Sequence, residues 1–307
     1  MLTVEKFSEL PALKKNTAVA IGNFDGVHLG HKKILEHLVR TAEKEHLHSV
    51  VLTFSPHPES FFKKDRFFLI QPLKERLNMI NGFNIDFSVV APFDKTFSKL
   101  SPTQFIKNIL IHYLHSKFIV VGQNFKFGKN RRGDVKLLKK IAEQHNISLH
   151  PIPQVSLNGE IISSSKIRTL LRRGEIEKAN IFLGHPYKIT GRVIKGFSRG
   201  RHIGFPTANL NPDNDIIPSG VFITESLLGS KKFPSVTNIG HCPTFNKNKI
   251  DVESYIMNLQ TDLYGKKMSI LLLKKIRDEK KFDSPESLKK QIQKDIYITK
   301  QYFNKRK

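Results

Sequence analysis

Cysteine is almost missing from this sequence. Cys242 is the one example in 307 residues, which excludes an intramolecular disulfide. Long apolar runs are missing too. No stretch reaches the ~20 residues that cross a bilayer as a helix, and Glu5, Lys6 and Glu9 break up the opening residues where a secretory signal needs an unbroken apolar core. These absences lead to the expectation of a cytoplasmic protein that does not engage a membrane. Acidic residues are scarce, 27 Asp and Glu against 51 Lys and Arg, for a formal net charge of +24. Yet there is no basic arm, no Arg/Gly-rich tract and no zinc-ligand pattern. The lysines are spread along the chain in short pairs such as Lys63–Lys64, Lys139–Lys140 and Lys289–Lys290. That distribution reads as compositional bias on solvated surfaces, so no nucleic-acid partner is expected, although the charge would draw small anions toward the protein. Internal repeats and low-complexity linkers are also lacking, and no pattern speaks to oligomeric state.

What is present suits a folded protein of two domains: 39% hydrophobic and 25% charged residues over a length too great for one ordinary core. In the first half, short β-rich runs (Thr17–Ile21, Val50–Phe54, Phe87–Pro92, Phe118–Val121, Ile147–Ile152) alternate with helical patterns (His31–Arg40, Leu73–Ile80, Val135–Gln144). Ser101, Pro102 and Gln104 form a capping box that opens a helix running toward Leu114. Alternation of this kind predicts an α/β domain with a parallel sheet. Beyond Pro153 come an Asn158–Gly159 hairpin turn and two short helices, Ser165–Arg173 and Glu175–Leu183, stopped by Gly174 and Gly184. From Tyr187 the runs are β-like (Tyr187–Ile194, Val221–Leu228, Ser235–Ile239, Asp251–Met257, Lys267–Ile276), and Ser284–Pro285 opens a last helix. This predicts a small antiparallel β-barrel with a terminal helix. The expected division is 1–184 and 185–307.

Two segments are dense in chemistry. Gly22-Asn23-Phe24-Asp25-Gly26-Val27-His28-Leu29-Gly30-His31 follows a strand and opens a helix. Glycines let the backbone approach a phosphate, and a helix N-terminus offers free N–H groups. His28 and His31, three apart, can face the same phosphates and donate to charge that develops during transfer. The second segment, residues 196–209, carries Gly196, Arg199, Gly200, Arg201, Gly204, Pro206, Thr207 and Asn209. Its arginines suit phosphate, and Thr207 and Asn209 offer neutral oxygens of the kind that suit Mg²⁺. Gly122–Lys129 superficially looks like a P-loop, but five residues separate the glycines and Asn130 stands where Ser or Thr is required.

The first segment resembles the HxGH hallmark of nucleotidyltransferases, and in its full form the prokaryotic FAD synthetase branch. Thr53–Pro58, Gly122–Gly128 and Ile162–Arg168 resemble further motifs of that branch in the same order. Residues 196–209 resemble the riboflavin kinase hallmark, as do Gly220–Phe222, Asn238–Phe245, Asp251–Glu253, Leu263–Gly265 and Ile276–Phe282. The resemblance, to the prokaryotic bifunctional riboflavin kinase/FAD synthetase family, spans about residues 17 to 303. It implies a Rossmann-like nucleotidyltransferase domain followed by a kinase barrel, with ATP, riboflavin and FMN as substrates and Mg²⁺ as cofactor. It implies ATP or phosphate contacts at Gly22, Phe24, Asp25, Gly26, Gly30, Ser164, Ser165, Arg168, Gly196, Arg199, Arg201 and Gly204. Flavin contacts are implied at Pro56, Pro58, Phe62, Asn124, Phe127 and Arg277, Mg²⁺ ligands at Thr207 and Asn209, and a catalytic base at Glu253. Cys242, Tyr255, Asn258 and Ser165 depart from the commoner family residues. Two other readings are a nucleotidyltransferase for a different phosphate ester with a degenerate barrel, and a nucleic-acid binder on the same scaffold. The kinase-like motifs argue against the former.

Overall fold

Five consecutive buried residues, Thr17–Ile21, form strand β2. A strand with no polar alternation has both faces covered, which is the signature of the middle of a parallel sheet. In a computed structural model of the chain β2 sits there. The structure describes residues 2–4, 16–62, 67–196, 204–241, 250–259 and 261–305. By packing, it divides into two units, Met1–Phe68 with Leu73–Ser163 and Leu69–Pro72 with Ser164–Lys307.

In the first unit, β1 (Leu2–Val4), β2, β3 (His48–Ser55), β4 (Phe87–Pro92), β5 (Ser116–Gly122) and β8 (Ser148–Ile152) make a sheet in the order β1-β4-β3-β2-β5-β8. Every neighbouring pair is parallel. Two-residue hairpins pair β6 (Lys126–Phe127) with β7 (Gly133–Asp134), and β9 (Ser156–Leu157) with β10 (Glu160–Ile161) across the Asn158–Gly159 turn. Helices α1 (Leu29–Lys44) and α3 (Leu73–Asn81) contribute to one core with Ala18 and Ala20 of β2. Val19 and Ile21 point into the opposite core, with residues from 105–114 and from α5 (Val135–Gln144). Alternate residues of one strand thus feed two cores. The chain winds from β2 to β3 and β4 on one side and to β5 and β8 on the other. The reversal at β2 marks a topological switch point, where ligands of open α/β sheets bind at the strands' carboxyl ends.

The capping box at Ser101 and Gln104 is present, and α4 (Pro102–Gln104) begins as expected. Thereafter the helix is π-type over Phe105–Tyr113, and the Leu114 N–H donates five residues back to Ile109 O. The buried pairs Phe105/Ile106 and Ile109/Leu110, with Leu114 beyond, recur every four residues, a spacing that an α-helix also brings to one face, so the burial pattern does not mark the wider pitch.

The second unit contains α6 (Ser164–Arg172), α7 (Ile176–Leu183) and a closed antiparallel barrel. Its strands are β11 (Tyr187–Ile194), β12 (Ala208–Pro212), β13 (Gly220–Leu228), β14 (Lys231–His241), β15 (Ile250–Ile256) and β16 (Lys267–Arg277), arranged β11-β12-β15-β14-β13-β16. Strand β12 has no counterpart among the expected runs. Helix α8 (Pro285–Asn304) closes the chain, with Ile296 packed against Val221, Val236 and Met257. Fully buried Thr224, Ser226, Ser235, Thr237 and Ser254 form one hydrogen-bonded cluster, with oxygen–oxygen distances of 2.7 to 3.2 Å.

Candidate functional site

The motif after β2 folds into a tight cradle. Phe24 (φ 51°), Gly26 (φ 87°) and Val27 (φ 37°) take left-handed conformations that reverse the chain before α1. Phe24 is buried, and its ring lies over Gly22, where an added Cβ would sit 3.1 Å from Cζ. His28 is the N-cap of α1, and its Nδ1 accepts the His31 N–H at 3.3 Å. In a neutral ring that leaves the proton on Nε2, a donor. The two imidazoles stack at 3.6 Å. Gly30 leaves room for this arrangement, because a Cβ there would meet the His28 ring at 3.1 Å. No acidic residue occupies the first turn of α1, so nothing opposes the positive end of the helix dipole.

Beneath the cradle lies a charge pair that the motifs did not indicate. Asp25 is 1% exposed and Arg76, on α3, 2% exposed. Arg76 Nη1 donates to Asn23 O at 2.7 Å and Nη2 to Phe54 O at 3.2 Å. Burial pushes the guanidinium below its ordinary pKa, and Asp25 opposes that shift. A sequence signal for Arg76 exists: it falls inside the apolar stripe Leu73, Leu77, Ile80 of its helix.

Beside the cradle, at the carboxyl ends of β2, β3 and β5, opens a cavity of about 570 Å³. Of the residues expected at a nucleotide or flavin, Gly22, Pro58, Phe62, Asn124 and Phe127 line it. Five more phenylalanines, Phe54, Phe93, Phe97, Phe105 and Phe125, also face it, beside polar and charged residues that include Asn23, Glu59, Lys126 and Arg131. Of these phenylalanines, Phe54 and Phe125 lay within recognised motifs; Phe93, Phe97 and Phe105 did not. Pro58 and Phe62 begin and end the short helix α2 (Pro58–Phe62), and Pro56 follows a cis Ser55–Pro56 bond. Gly128 (φ 71°) runs against Pro102, and a Cβ would fall 2.8 Å from its nitrogen. Ser164 opens α6 with Ser165 next to it, and Arg168, buried, is one turn along the same face.

In the barrel, Asn209 of β12 stands directly across from Glu253 of β15 and from Ile194 of β11. Facing positions of an antiparallel pair share one side of the sheet. Thr207 immediately precedes β12. The Asn209 carboxamide lies against Gly196, where a Cβ would be 2.3 Å from its Cγ. A carboxamide oxygen and a half-buried carboxylate thus belong to neighbouring positions on one side of the sheet. These hard oxygens, few in number, fit Mg²⁺ bound mainly through phosphate and water. Among the described residues no group of three His, Cys, Asp or Glu could hold a metal by itself. Gly204 (φ 88°) lies in the chain leading to Thr207. Arg199, Arg201 and Cys242 lie outside the described residues. Arg277 is engaged on all three guanidinium nitrogens. Nε and Nη2 donate to Asp295 at 3.1 and 2.9 Å, and Nη1 donates to Asp278 O at 3.0 Å. It ties β16 to α8.

A glycine-bearing cradle at the switch point of a parallel sheet, in one chain with a closed antiparallel barrel, is the layout of a two-domain transferase. Residues 10–166 match the FAD synthetase family and residues 183–303 the riboflavin kinase family. The Buchnera aphidicola (Acyrthosiphon pisum) bifunctional riboflavin kinase/FMN adenylyltransferase is 38% identical, with 99% of each chain covered. The Escherichia coli K12 enzyme of the same name is 35% identical over 98% of this chain and 96% of its own. That of Bacillus subtilis is 37% identical over 94% and 93%. The chain belongs to the bifunctional riboflavin kinase/FMN adenylyltransferase family. A Streptococcus pneumoniae crystal structure described as a macrolide-efflux protein has the same architecture, with a TM-score of 0.89 at 27% identity over 97% of this chain and 98% of that one. Among the described residues, no helix is long and apolar enough to cross a membrane.

Proposed function

We propose that the chain phosphorylates riboflavin to FMN in its barrel and adenylylates FMN to FAD in its α/β unit, consuming one ATP in each step. The observation that carries this is the presence of both family matches in one chain, 10–166 and 183–303. The start of the second match supports a functional boundary near 184/185, with the adenylyltransferase before it and the kinase after it. We place the protein in the cytoplasm, with riboflavin, FMN and ATP as its partners and neither nucleic acid nor membrane among them.

In adenylyl transfer, an FMN phosphate oxygen forms a bond to the α-phosphorus of ATP and the bond to the bridging oxygen breaks, releasing pyrophosphate. His28 and His31 donate to the charge that grows on the α-phosphoryl and on the leaving group, with the helix N-terminus behind them. The aromatic cavity is assigned to the isoalloxazine ring; Ser164, Ser165 and Arg168, expected at triphosphate oxygens, belong to α6 of the second unit. In phosphoryl transfer, the ribityl 5′-hydroxyl attacks the γ-phosphorus, Glu253 takes its proton and ADP leaves. Thr207 and Asn209 would hold Mg²⁺, whose chemistry is neutralisation of phosphate charge. The test is incubation with riboflavin, ATP and Mg²⁺ and chromatographic separation of the flavins. FMN appearing first and FAD second, with ADP and pyrophosphate in step, is expected; no conversion of riboflavin would overturn the reading.

A further inference from the structure

Asn23 lies past the end of β2. Phe54, still paired with Ala91 of β4, lies two residues past Leu52, where the pairing of β3 with β2 ends. Both carbonyls therefore draw on a donor from outside the β2–β3 ladder. Arg76 supplies both, at 2.7 and 3.2 Å, and Thr53 Oγ1 adds a second bond to Asn23 O at 3.2 Å. Asn23 and Phe54 both line the cavity, and Asn23 leads through Phe24 and Asp25 to the two histidines. One buried side chain therefore joins the wall of the cavity to the strand-to-helix turn. Stability alone does not account for it, since a buried charged group is often no better than apolar residues of equal size. A planar guanidinium does account for it, because it donates in two fixed directions at once, whereas an ammonium is a point donor.

We infer that Arg76 is a positioning residue for adenylyl transfer, setting the turn that carries His28 and His31 against the flavin cavity. This rests on the adenylyltransferase reading of the first unit. A misplacement of about 1 Å at a reacting group costs on the order of 100-fold in rate. Arg76→Met is therefore expected to lower kcat for FAD formation from FMN by ~10–100-fold, with KM for FMN changed by less than about threefold. Riboflavin phosphorylation by the same sample stays unchanged. Hydrogen exchange provides a readout that general destabilisation does not reproduce: amides of 22–31 exchange faster while those of β4 and β5 do not. Arg76→Lys keeps the charge near Asp25 but not both carbonyl bonds, and falls between. FAD formation within about twofold of the unaltered protein in folded Arg76→Met, or faster exchange throughout the sheet, overturns the assignment. Should Arg76→Met fail to fold, Arg76→Lys decides: an unchanged kcat overturns the inference, and a reduced kcat with faster exchange confined to 22–31 supports it. Absence of FAD formation by the unaltered protein would overturn the adenylyltransferase reading instead.

Discussion

His28 caps α1 through Nδ1, which accepts the His31 N–H, and in the proposed mechanism the same ring donates to the phosphates. Removing a preorganised donor to transition-state charge costs ~10²–10³-fold, and His28→Ala or His31→Ala is expected to slow FAD formation by that factor. FMN formation should be nearly untouched; equal loss of both activities in a folded variant would refute two separate centres. In the barrel, Glu253 stands opposite Asn209, yet their roles differ. Glu253→Gln keeps the size but loses the proton acceptor, so FMN formation should drop ~10²–10⁴-fold while FAD formation from supplied FMN continues. Asn209→Ala and Thr207→Ala weaken Mg²⁺–nucleotide binding, so raised Mg²⁺ should partly restore them and leave Glu253→Gln unimproved. Near-normal kinase turnover in Glu253→Gln would remove the base assignment.

Strands β13, β14 and β15 supply the hydroxyls of the buried cluster, and these replace apolar packing with directional bonds. Thr224 Oγ1 is its busiest member, within 2.7 Å of Ser235 Oγ and 2.8 Å of Thr237 Oγ1, and donating to Ser235 O at 3.0 Å. Thr224→Val keeps the shape of the side chain and strands its partners without water. Leaving buried polar groups unsatisfied costs ~1–3 kcal/mol, and Thr224→Val should lower the urea midpoint of the barrel unit accordingly. An unchanged midpoint would mean that the remaining hydroxyls rearrange to satisfy one another. Helix α8 is held by an interaction of another kind: Asp295, 2% exposed, receives Arg277 and also Gln291 Nε2 at 2.8 Å. That ties the middle of α8 to the end of β16.

For the whole molecule, the two centres lie on folds that each have their own core. The barrel also uses residues upstream of 185: Asn180 Nδ2 donates to Leu272 O at 2.8 Å, and the Tyr187 N–H donates to Asn180 Oδ1 at 2.7 Å. A fragment of residues 185–307 is expected to make FMN and no FAD. A fragment of residues 164–307 should do the same and unfold at higher temperature, because it keeps both bonds. Flavin chromatography and thermal unfolding check the two statements. A folded fragment without kinase activity would count against placing that centre in the barrel.

The parallel sheet, the barrel, the capping box at Ser101 and the helix stops at Gly174 and Gly184 were legible in the sequence, because each rests on local periodicity or on one residue's backbone preference. The two phosphate segments were legible for a related reason: their glycines and functional groups are contiguous, so the chemistry is written within ten or fourteen residues. Strand β12 was missed because Asn209 and Asn211 do not look like strand residues; the ladder to β11 and β15 makes them so. The π-helix was missed because a capping box announces a helix start and says nothing of its pitch. Arg277 was read for its chemistry, and its partner Asp295 became visible only once α8 had folded back on β16. The assembled cavity lay beyond any linear reading, since Asn23, Phe54, Phe93 and Phe105 meet only when four segments converge at one edge of the sheet. Arg76 stood out in the apolar stripe of α3, but its carbonyl partners appeared only there. Short-range spacing thus determined which chemistry the chain carries. Long-range packing decided which carbonyls need a buried cation, which rings enclose a flavin-sized space, and which oxygens face one another across the barrel wall.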